Sequence, residues 1–438
     1  MIKITVIDKI KFLSISVLIL LLSFIIRVNM LIPLLLITLT VYFKFRKLDS
    51  LNCDLMRLGL LFLVSFALTD FITQQKWPAL FIPLCTIPIL ATILFNTLEI
   101  SLLFSVATSI SVAFINVYLG ILFLISAIAA SLLIFGARRR IDIIRAGFII
   151  GLVQVLLLLL TRRFAFTDSW QYLTMLLNGI VCGIIVLGVL PVFEYLFAIV
   201  TNISLLELAD FNHPLLQKMI LEAPGTYHHS LIVGNLSEAA CTAVGANALL
   251  ARIGAYYHDI GKIEKPGYFS ENQNLELNKH DVLSPTISKM VIINHVKDGV
   301  ELAKKYKLNA RLIDFIQQHH GNSLVYYFYR RALENLEEDQ AILEEGFRYP
   351  GPKPSSKETA IVLLADSVEA ATRAMREPNP AKIEELVHKI INNKFIDGQL
   401  DECELTLKDL EKISAVFIRI LGGIYHSRVS YPEQKDKK

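Results

Sequence analysis

The nonapeptide GAYYHDIGK, residues 254–262, closes an apolar run of helical spacing with a histidine beside an aspartate, then a glycine and a lysine. A lone His-Asp pair is ordinarily a polar helix end or a surface hydrogen bond. It becomes a metal site only if further ligands arrive from elsewhere in the chain.

Such ligands are present. All ten histidines follow residue 200. His228 and His229 open the helical pattern HHSLIVGNLSEAACTAV (228–244), and His258 and Asp259 close NALLARIGAYYHDIG (247–261). His295 sits in LSPTISKMVIINHV (283–296), where Ser284 reads as an N-cap and Pro285 as the first helical residue. His319 and His320 end NARLIDFIQQHHG (309–321), stopped by Gly321. Asp366 lies mid-way along KETAIVLLADSVEAATRAM (357–375), between IVLLA and SVEAA, so its helix face is largely buried. Five helices thus carry one or two groups each from one short menu. Buried His and Asp are costly unless paired or metal-bound. An imidazole–carboxylate set suits Fe, Mn or Zn better than Ca or Mg. Seven such groups are too many for one ion; they suit two, bridged by a shared carboxylate and about 3.5–4 Å apart.

The composition divides the 438 residues in two. Overall 54% are hydrophobic and 19% charged, where a soluble domain carries about 25% charged. Residues 1–200 hold 15 Lys+Arg and 8 Asp+Glu, against 28 and 32 in residues 201–438. A net charge of +3 gives no sign of a nucleic-acid polymer as partner. The five cysteines, Cys53, Cys85, Cys182, Cys241 and Cys403, show no CxxC and no regular spacing. That argues against a disulfide scaffold and a zinc–thiolate site and fits a reducing cytoplasm for the second half.

A membrane-spanning helix needs about 20 mostly apolar residues. Runs 10–26, 28–43, 55–73, 77–97, 100–118, 119–135, 143–160 and 172–200 qualify or nearly do. The first two are short, and the boundaries between the fourth, fifth and sixth are soft, so the count is seven or eight. The first run lacks an A-x-A-like site and meets another apolar run at once, so it does not read as a cleaved signal peptide. With eight helices, KFRK (44–47) and ARRR (137–140) fall on the side of the N-terminus, with Lys3, Lys9 and Lys11. Only Lys76 and the Arg162/Arg163 pair fall opposite. The positive-inside rule then places both chain ends inside. A seven-helix count moves the N-terminus outside and keeps the C-terminal domain inside.

The expected organisation is all-α. Residues 1–200 form a polytopic transmembrane bundle lying in a lipid bilayer, the cell inner (plasma) membrane. Residues 201–224 form an amphipathic coupling linker, or the first packed helix of the second domain. Residues 225–430 form a cytoplasmic helical domain, and 431–438 a polar tail. FRYPGPKPSS (347–356), with three prolines, is a loop.

The ordered pattern H…HD…H…HH…D resembles the HD-domain metallophosphohydrolases. The blocks LEAPGTYHHS, ARIGAYYHDIGKI, SPTISKMVIINHVKDGVELAKKYKL, FIQQHHG, FRYPGPKP and LADSVEAATR are similar to the membrane-anchored seven-transmembrane HD-domain family. The likeness is strong over residues 205–430 and general in character before them. It implies a multi-helix membrane part and a cytoplasmic HD domain that hydrolyses cyclic di-AMP to linear pApA. Family members carry a large extracellular domain after the first helix; the loops here are all short, which opens the question of what signal is sensed.

The resemblance also implies roles. His229, His258, Asp259 and Asp366 hold one divalent transition-metal ion; Asp259, His295, His319 and His320 hold the other, Fe or Mn, with Asp259 bridging. A water completes the bridge as hydroxide and attacks phosphorus. Catalytic roles fall to Asp259 and to Lys262, which follows His258 by one turn and reaches a phosphate oxygen or the leaving group; a solvated lysine is the plain alternative. Arg373, two turns beyond Asp366, either binds substrate phosphate or makes a surface salt bridge, and Arg348 has the same two readings. His228 is left out of the metal set. His280 contacts substrate or is a loop histidine, while His213, His388 and His426 read as structural or exposed. YYFYRR (326–331) offers either an adenine-stacking surface or, as the commoner use, a helix core. The substrate expected is a cyclic dinucleotide, and a homodimer is left open.

Three other readings compete. A cyclic di-GMP phosphodiesterase has a Gly-Tyr-Pro signature after its double histidine, and here the text is HHGNSLV. A guanosine alarmone hydrolase has a Glu-Asp pair soon after HD, absent from HDIGKIEKP. A non-catalytic nucleotide-binding membrane receptor has usually lost a ligand, and here the ligand set is complete.

Overall fold

The computed structural model describes residues 61, 71–72, 74–75, 79–83, 85–113, 116–160, 169–197, 199–273, 278–334 and 343–425. The first two apolar runs, most of the third, KFRK, Lys76, Arg162/Arg163, His426 and the polar tail lie outside them. Among the described residues the secondary structure is helix and turn, with one isolated antiparallel bridge, Leu324–Arg348, and no strand. The chain divides into two compact units, residues 1–204 and 205–438.

In the first unit α1 is Thr86–Phe95, α2 Leu98–Ala113, α3 Val117–Ile134, α4 Arg140–Leu160 and α5 Ser169–Phe197. Among the described residues three helices, Val117–Ile134, Arg140–Leu160 and Trp170–Phe197, are long and apolar enough to cross a membrane. The fourth apolar run departs from expectation. In place of one span over 77–97 there is a 3-10 turn, Ala79–Phe81, and then the ten-residue α1. Pro83 ends regular structure by withholding an N–H and by disfavouring helix in the residue before it. The carbonyls of Leu80 and Ile82, freed by this break, accept hydrogen bonds from Asn178 Nδ2 of α5 at 3.0 and 3.1 Å. The fifth and sixth runs part at Asn116, whose side chain caps α3 by accepting from Tyr118 N and Leu119 N.

Helix packing in this unit follows from small and hydroxyl-bearing residues. A Cβ at Gly179 would lie 2.3 Å from Gly151 N and 2.4 Å from Gly147 O, so α4 and α5 meet backbone to backbone. Buried hydroxyls bond one turn back along their own helices: Ser105 to Ser101 O, Thr108 to Phe104 O, Ser131 to Ala127 O. Thr92–Ser101 and Ser105–Ser131 then link α1 to α2 and α2 to α3.

α6 is Asn202–Leu208, α7 Pro214–Glu222, α8 Pro224–Val244, α9 Ala248–Tyr257, α10 Pro285–Lys305, α11 Ala310–Gln318, α12 Tyr326–Glu334, α13 Lys357–Arg373, α14 Pro380–Ile396 and α15 Leu407–Ile424. Residues 205–224 pack into the second unit: Leu215, Leu216 and Met219 are buried, and Tyr257 Oη donates to Leu208 O. The core gathers Val233 and Ala240 of α8, Ala251 of α9, Phe315 of α11, Leu363 and Leu364 of α13, Ile383 of α14 and Phe417 of α15. α13 is central. Ser356 and Thr359 form a capping box at its start, and burial runs nearly all round it from Thr359 to Asp366. A polar residue in such a helix has no solvent to turn to, and Asp366 and Glu369 are both buried there.

Candidate metal centre

Five helices and their ends deliver the seven expected ligands. Pro224 starts α8, which puts His229 in its second turn, buried, while His228 beside it is exposed. α9 ends at Tyr257. His258 caps it, and Asp259 turns the chain into a 3-10 segment, Ile260–Glu264. A Cβ at Gly261 would lie 1.8 Å from His295 O and 2.5 Å from Gly299 N, so this segment rests directly on the backbone of α10. α10, capped by Ser284, carries His295 inward. His319 and His320 follow the last turn of α11, and Asp366 comes from α13.

Asp259 stands between two groups of imidazoles. Its Oδ2 is 3.2 Å from His258 Nε2 and 3.7 Å from His229 Nε2. Its Oδ1 is 3.3 Å from His295 Nε2 and 3.5 Å from His319 Nε2. Asp366 closes the arrangement, with Oδ1 3.0 Å from His229 Nε2 and Oδ2 3.5 Å from His320 Nδ1. The ligand atoms form two sets, His229/His258/Asp259/Asp366 and Asp259/His295/His319/His320, each with its atoms within 4.8 Å of one another.

The rings are aimed from behind. Nδ1 of His258 donates to Ala255 O at 2.6 Å, that of His295 to Ile292 O at 2.5 Å, and that of His319 to Ile316 O at 2.9 Å. His229 Nδ1 donates to Glu369 Oε2, a buried carboxylate. Each bond fixes the tautomer and leaves Nε2 as a lone pair facing inward. His320 turns Nδ1 toward Asp366 Oδ2, and its ring stacks on Tyr349 with centroids 4.3 Å apart.

The centre calls for positive charge. His258 Nε2 and both oxygens of Asp259 are buried without a hydrogen-bond partner. The Lys262 ammonium lies 2.7 Å from Asp259 Oδ2, an ion pair off the line of a hydrogen bond. Leaving a buried carboxylate so poorly bonded costs several kcal/mol, about 1–3 for each unmet polar atom; a bound cation removes that cost. Burial opposes charge on His258, yet Asp259 and Asp366 beside it raise its pKa to about 10. Burial likewise opposes ionisation of Asp259, but His258 and Lys262 hold it well below the usual carboxylate range. His319 is pushed down to about 4 by burial, a shift reinforced by the neighbouring His258 and His295. His320 is lowered by burial and by His319. A divalent transition metal requires neutral imidazoles beside anionic carboxylates: His319 and His320 already meet this, whereas binding would displace the proton that Asp259 and Asp366 favour on His258; the N/O donor set fits such an ion.

A cavity of about 630 Å³ opens beside the centre, lined by His229, His295, His320 and Asp366, with Lys262, Glu271, Tyr349 and Arg373 on its walls. Lys262 sits between Asp259 and Glu271, 2.8 Å from Glu271 Oε1, and 5.1 Å from the Phe269 ring centroid. Burial disfavours the Glu271 acid's charge, but Lys262 draws its pKa down to about 2. Arg373, a third exposed, reaches Glu369 Oε2 at 3.5 Å.

Other singled-out residues lie elsewhere. His280 is buried against Tyr268 and Phe328, and its Nε2 donates to Tyr268 O, as befits a loop histidine. Arg348 is engaged by Glu344 and Asp397. In YYFYRR, Phe328 is buried, while Tyr326 and Tyr327 are exposed and do not line the cavity. His213 caps α7, and His388 is exposed. Sequence reasoning missed Glu369, Glu271 and Tyr349. Glu369 had a signal: it follows Asp366 by three residues, on the same buried helix face.

Residues 12–201 match the family described as 7TM receptor with intracellular HD hydrolase, and residues 226–371 match the HD domain. The chain is 49% identical over 329 residues to Cyclic-di-AMP phosphodiesterase PgpH of Bacillus subtilis (strain 168), covering 74% of this chain and 46% of that protein. It is 39% identical over 392 residues to the protein of the same name from Listeria monocytogenes serotype 1/2a (strain 10403S), covering 87% and 54%. Among solved structures it resembles the L. monocytogenes phosphodiesterase PgpH HD domain in complex with cyclic-di-AMP, at 47% identity over 50% of this chain and 100% of that one, with a TM-score of 0.47. The chain spans about half the length of the curated relatives it matches.

Proposed function

We propose that this chain, which belongs to the family of 7TM receptors with an intracellular HD hydrolase, is a membrane-bound, metal-dependent phosphodiesterase that converts cyclic di-AMP to linear pApA. The observation that carries the chemistry is the division of Asp259, one oxygen to each of two imidazole sets. The substrate is taken from the two curated relatives, both named for cyclic di-AMP.

His229, His258, Asp259 and Asp366 would hold one divalent cation and Asp259, His295, His319 and His320 a second, with Fe or Mn the best match to the donors. When bound, such a pair generates a nucleophile from water at neutral pH and neutralises charge on the phosphoryl oxygens. The chain's own groups do the rest. Asp259 fixes the two halves relative to each other. Burial keeps His319 and His320 unprotonated and so available as ligands. Lys262 presents its ammonium at the cavity wall, where a phosphoryl oxygen can replace part of its hold on Asp259. Arg373 offers a second cation on the same wall, one turn beyond Glu369. The walls hold polar and aromatic groups, Tyr349 and Phe269 among them, suited to a nucleotide. The Lys/Arg distribution favours a plasma-membrane orientation with this domain in the cytoplasm.

The test uses the full chain, purified in detergent and supplied with Mn(II). It is incubated separately with cyclic di-AMP, cyclic di-GMP and guanosine tetraphosphate. Preferential conversion of cyclic di-AMP to pApA is expected. Preferential loss of either guanine nucleotide, or no turnover by chain that carries metal, overturns the assignment.

A further inference from the structure

His320 is the outlier among the histidine ligands. The other four have Nδ1 tied to a carbonyl or carboxylate, whereas among the described residues neither ring nitrogen of His320 is hydrogen-bonded, Nδ1 lying 3.5 Å from Asp366 Oδ2, and its side chain is 21% exposed. Its aim therefore depends on the Tyr349 stack and on the backbone turn that follows it.

That turn is held by a part of the chain beyond the ligand-bearing helices. Gly321 adopts φ +53°, and a Cβ there would lie 2.3 Å from Gln399 Oε1. Gln399 is fully buried in the corner between α14 and α15. Its Oε1 accepts from Asn322 N at 3.0 Å, and its Nε2 donates to Asn322 Oδ1 and to Asp397 Oδ2, both at 2.7 Å. Arg348 donates to Asn322 O at 3.0 Å, and Lys394 to Ser323 Oγ at 2.7 Å. The match to the HD domain ends at residue 371, so Lys394, Asp397 and Gln399 reach the turn from the segment after it, while Arg348 lies within it.

We propose that Gln399 is a positioning residue: by clamping Asn322 it fixes the turn that aims His320 at the Asp259/His295/His319 set. The proposal rests on the two-cation reading above. An amide is suited to the task, since one group supplies an acceptor and two donors in a fixed plane and adds no charge near the centre.

The test measures Mn(II) binding to the full chain in detergent by equilibrium dialysis and elemental analysis, with melting temperatures recorded in parallel. The wild type is compared with Gln399→Met, which keeps volume, with Asn322→Ala, which cuts the same clamp from the other side, and with Phe417→Leu, a core change remote from the turn. Either clamp variant should keep one ion at wild-type affinity and bind the second about 10- to 100-fold more weakly, the usual range for lost support behind a ligand. Phe417→Leu should lower the melting temperature and keep both affinities. Two ions at wild-type affinity in whichever clamp variants fold overturn the proposal, as does equal weakening in Phe417→Leu, which marks a general stability effect. A wild type that binds no Mn(II) overturns the two-cation reading itself, and this inference with it.

Discussion

The two units meet the same difficulty, polar groups out of reach of water, in opposite ways. In the first, hydroxyls bond locally: Ser105, Thr108 and Ser131 each use a carbonyl one turn back, and the links between helices are isolated pairs, Thr92–Ser101 and Ser105–Ser131 of hydroxyls and Gln154–Asn178 of amides. In the second, polar groups from five helices converge, and their central atoms, both oxygens of Asp259 and Nε2 of His258, lack hydrogen-bond partners while Nδ1 of four of the five histidines around them is bonded from behind. Local satisfaction produces a scaffold. Unmet valence at a shared centre, held rigidly from behind, produces a place for a cation. Burial of polar atoms alone does not separate the two cases; the direction of the unmet atoms does.

Three substitutions test that contrast, taken from the largest effect downward. Asp259→Ala removes the only group common to both ligand sets. Turnover should fall by more than the roughly 10–100-fold that accompanies loss of a supporting residue, and metal content should drop at both positions, while helical circular dichroism stays intact. Retention of two ions would end the claim that one carboxylate joins the sets. Glu369→Gln leaves the ligands, weakens the support behind His229 and loosens the Arg373 ion pair on the same carboxylate oxygen. Metal affinity should fall about tenfold or more, read by chelator competition, with little change in melting temperature. No change in affinity would reduce Glu369 to a buried packing group. Ser105→Ala, in the first unit, should cost under about 1 kcal/mol, as single hydroxyl links between membrane helices do, and leave turnover untouched. A loss of turnover at unchanged stability would show that the hydroxyl ladder does more than pack helices.

Much of the second unit was legible because its chemistry is written in residue type. His and Asp stand out in apolar helical patterns, and five such helices leave few ways to bury them. The helical class and the positions of Ser284, Pro285 and Gly321 at helix ends followed from local rules. The supporting residues were harder to see. Glu271 lies in a three-residue 3-10 turn with no pattern around it, and Gln399 joins the site from 77 residues beyond Asn322. Nothing in a linear reading distinguishes such a glutamine from a solvated one. In the first unit the fourth apolar run misled because summed hydropathy outweighed its prolines, although Pro83 was in plain view. The ends of α2 and α3 became clear only with the Asn116 cap.

At Gly261 backbone meets backbone, with His295 O placed where any larger residue would put its first carbon. The gauge between the two halves of the centre is thus set by peptide planes, not by side chains that mutation can trim a little at a time. One added methyl at residue 261 would collide with both His295 O and Gly299 N and wedge the halves apart, so a single hydrogen atom holds the spacing across which Asp259 faces His295.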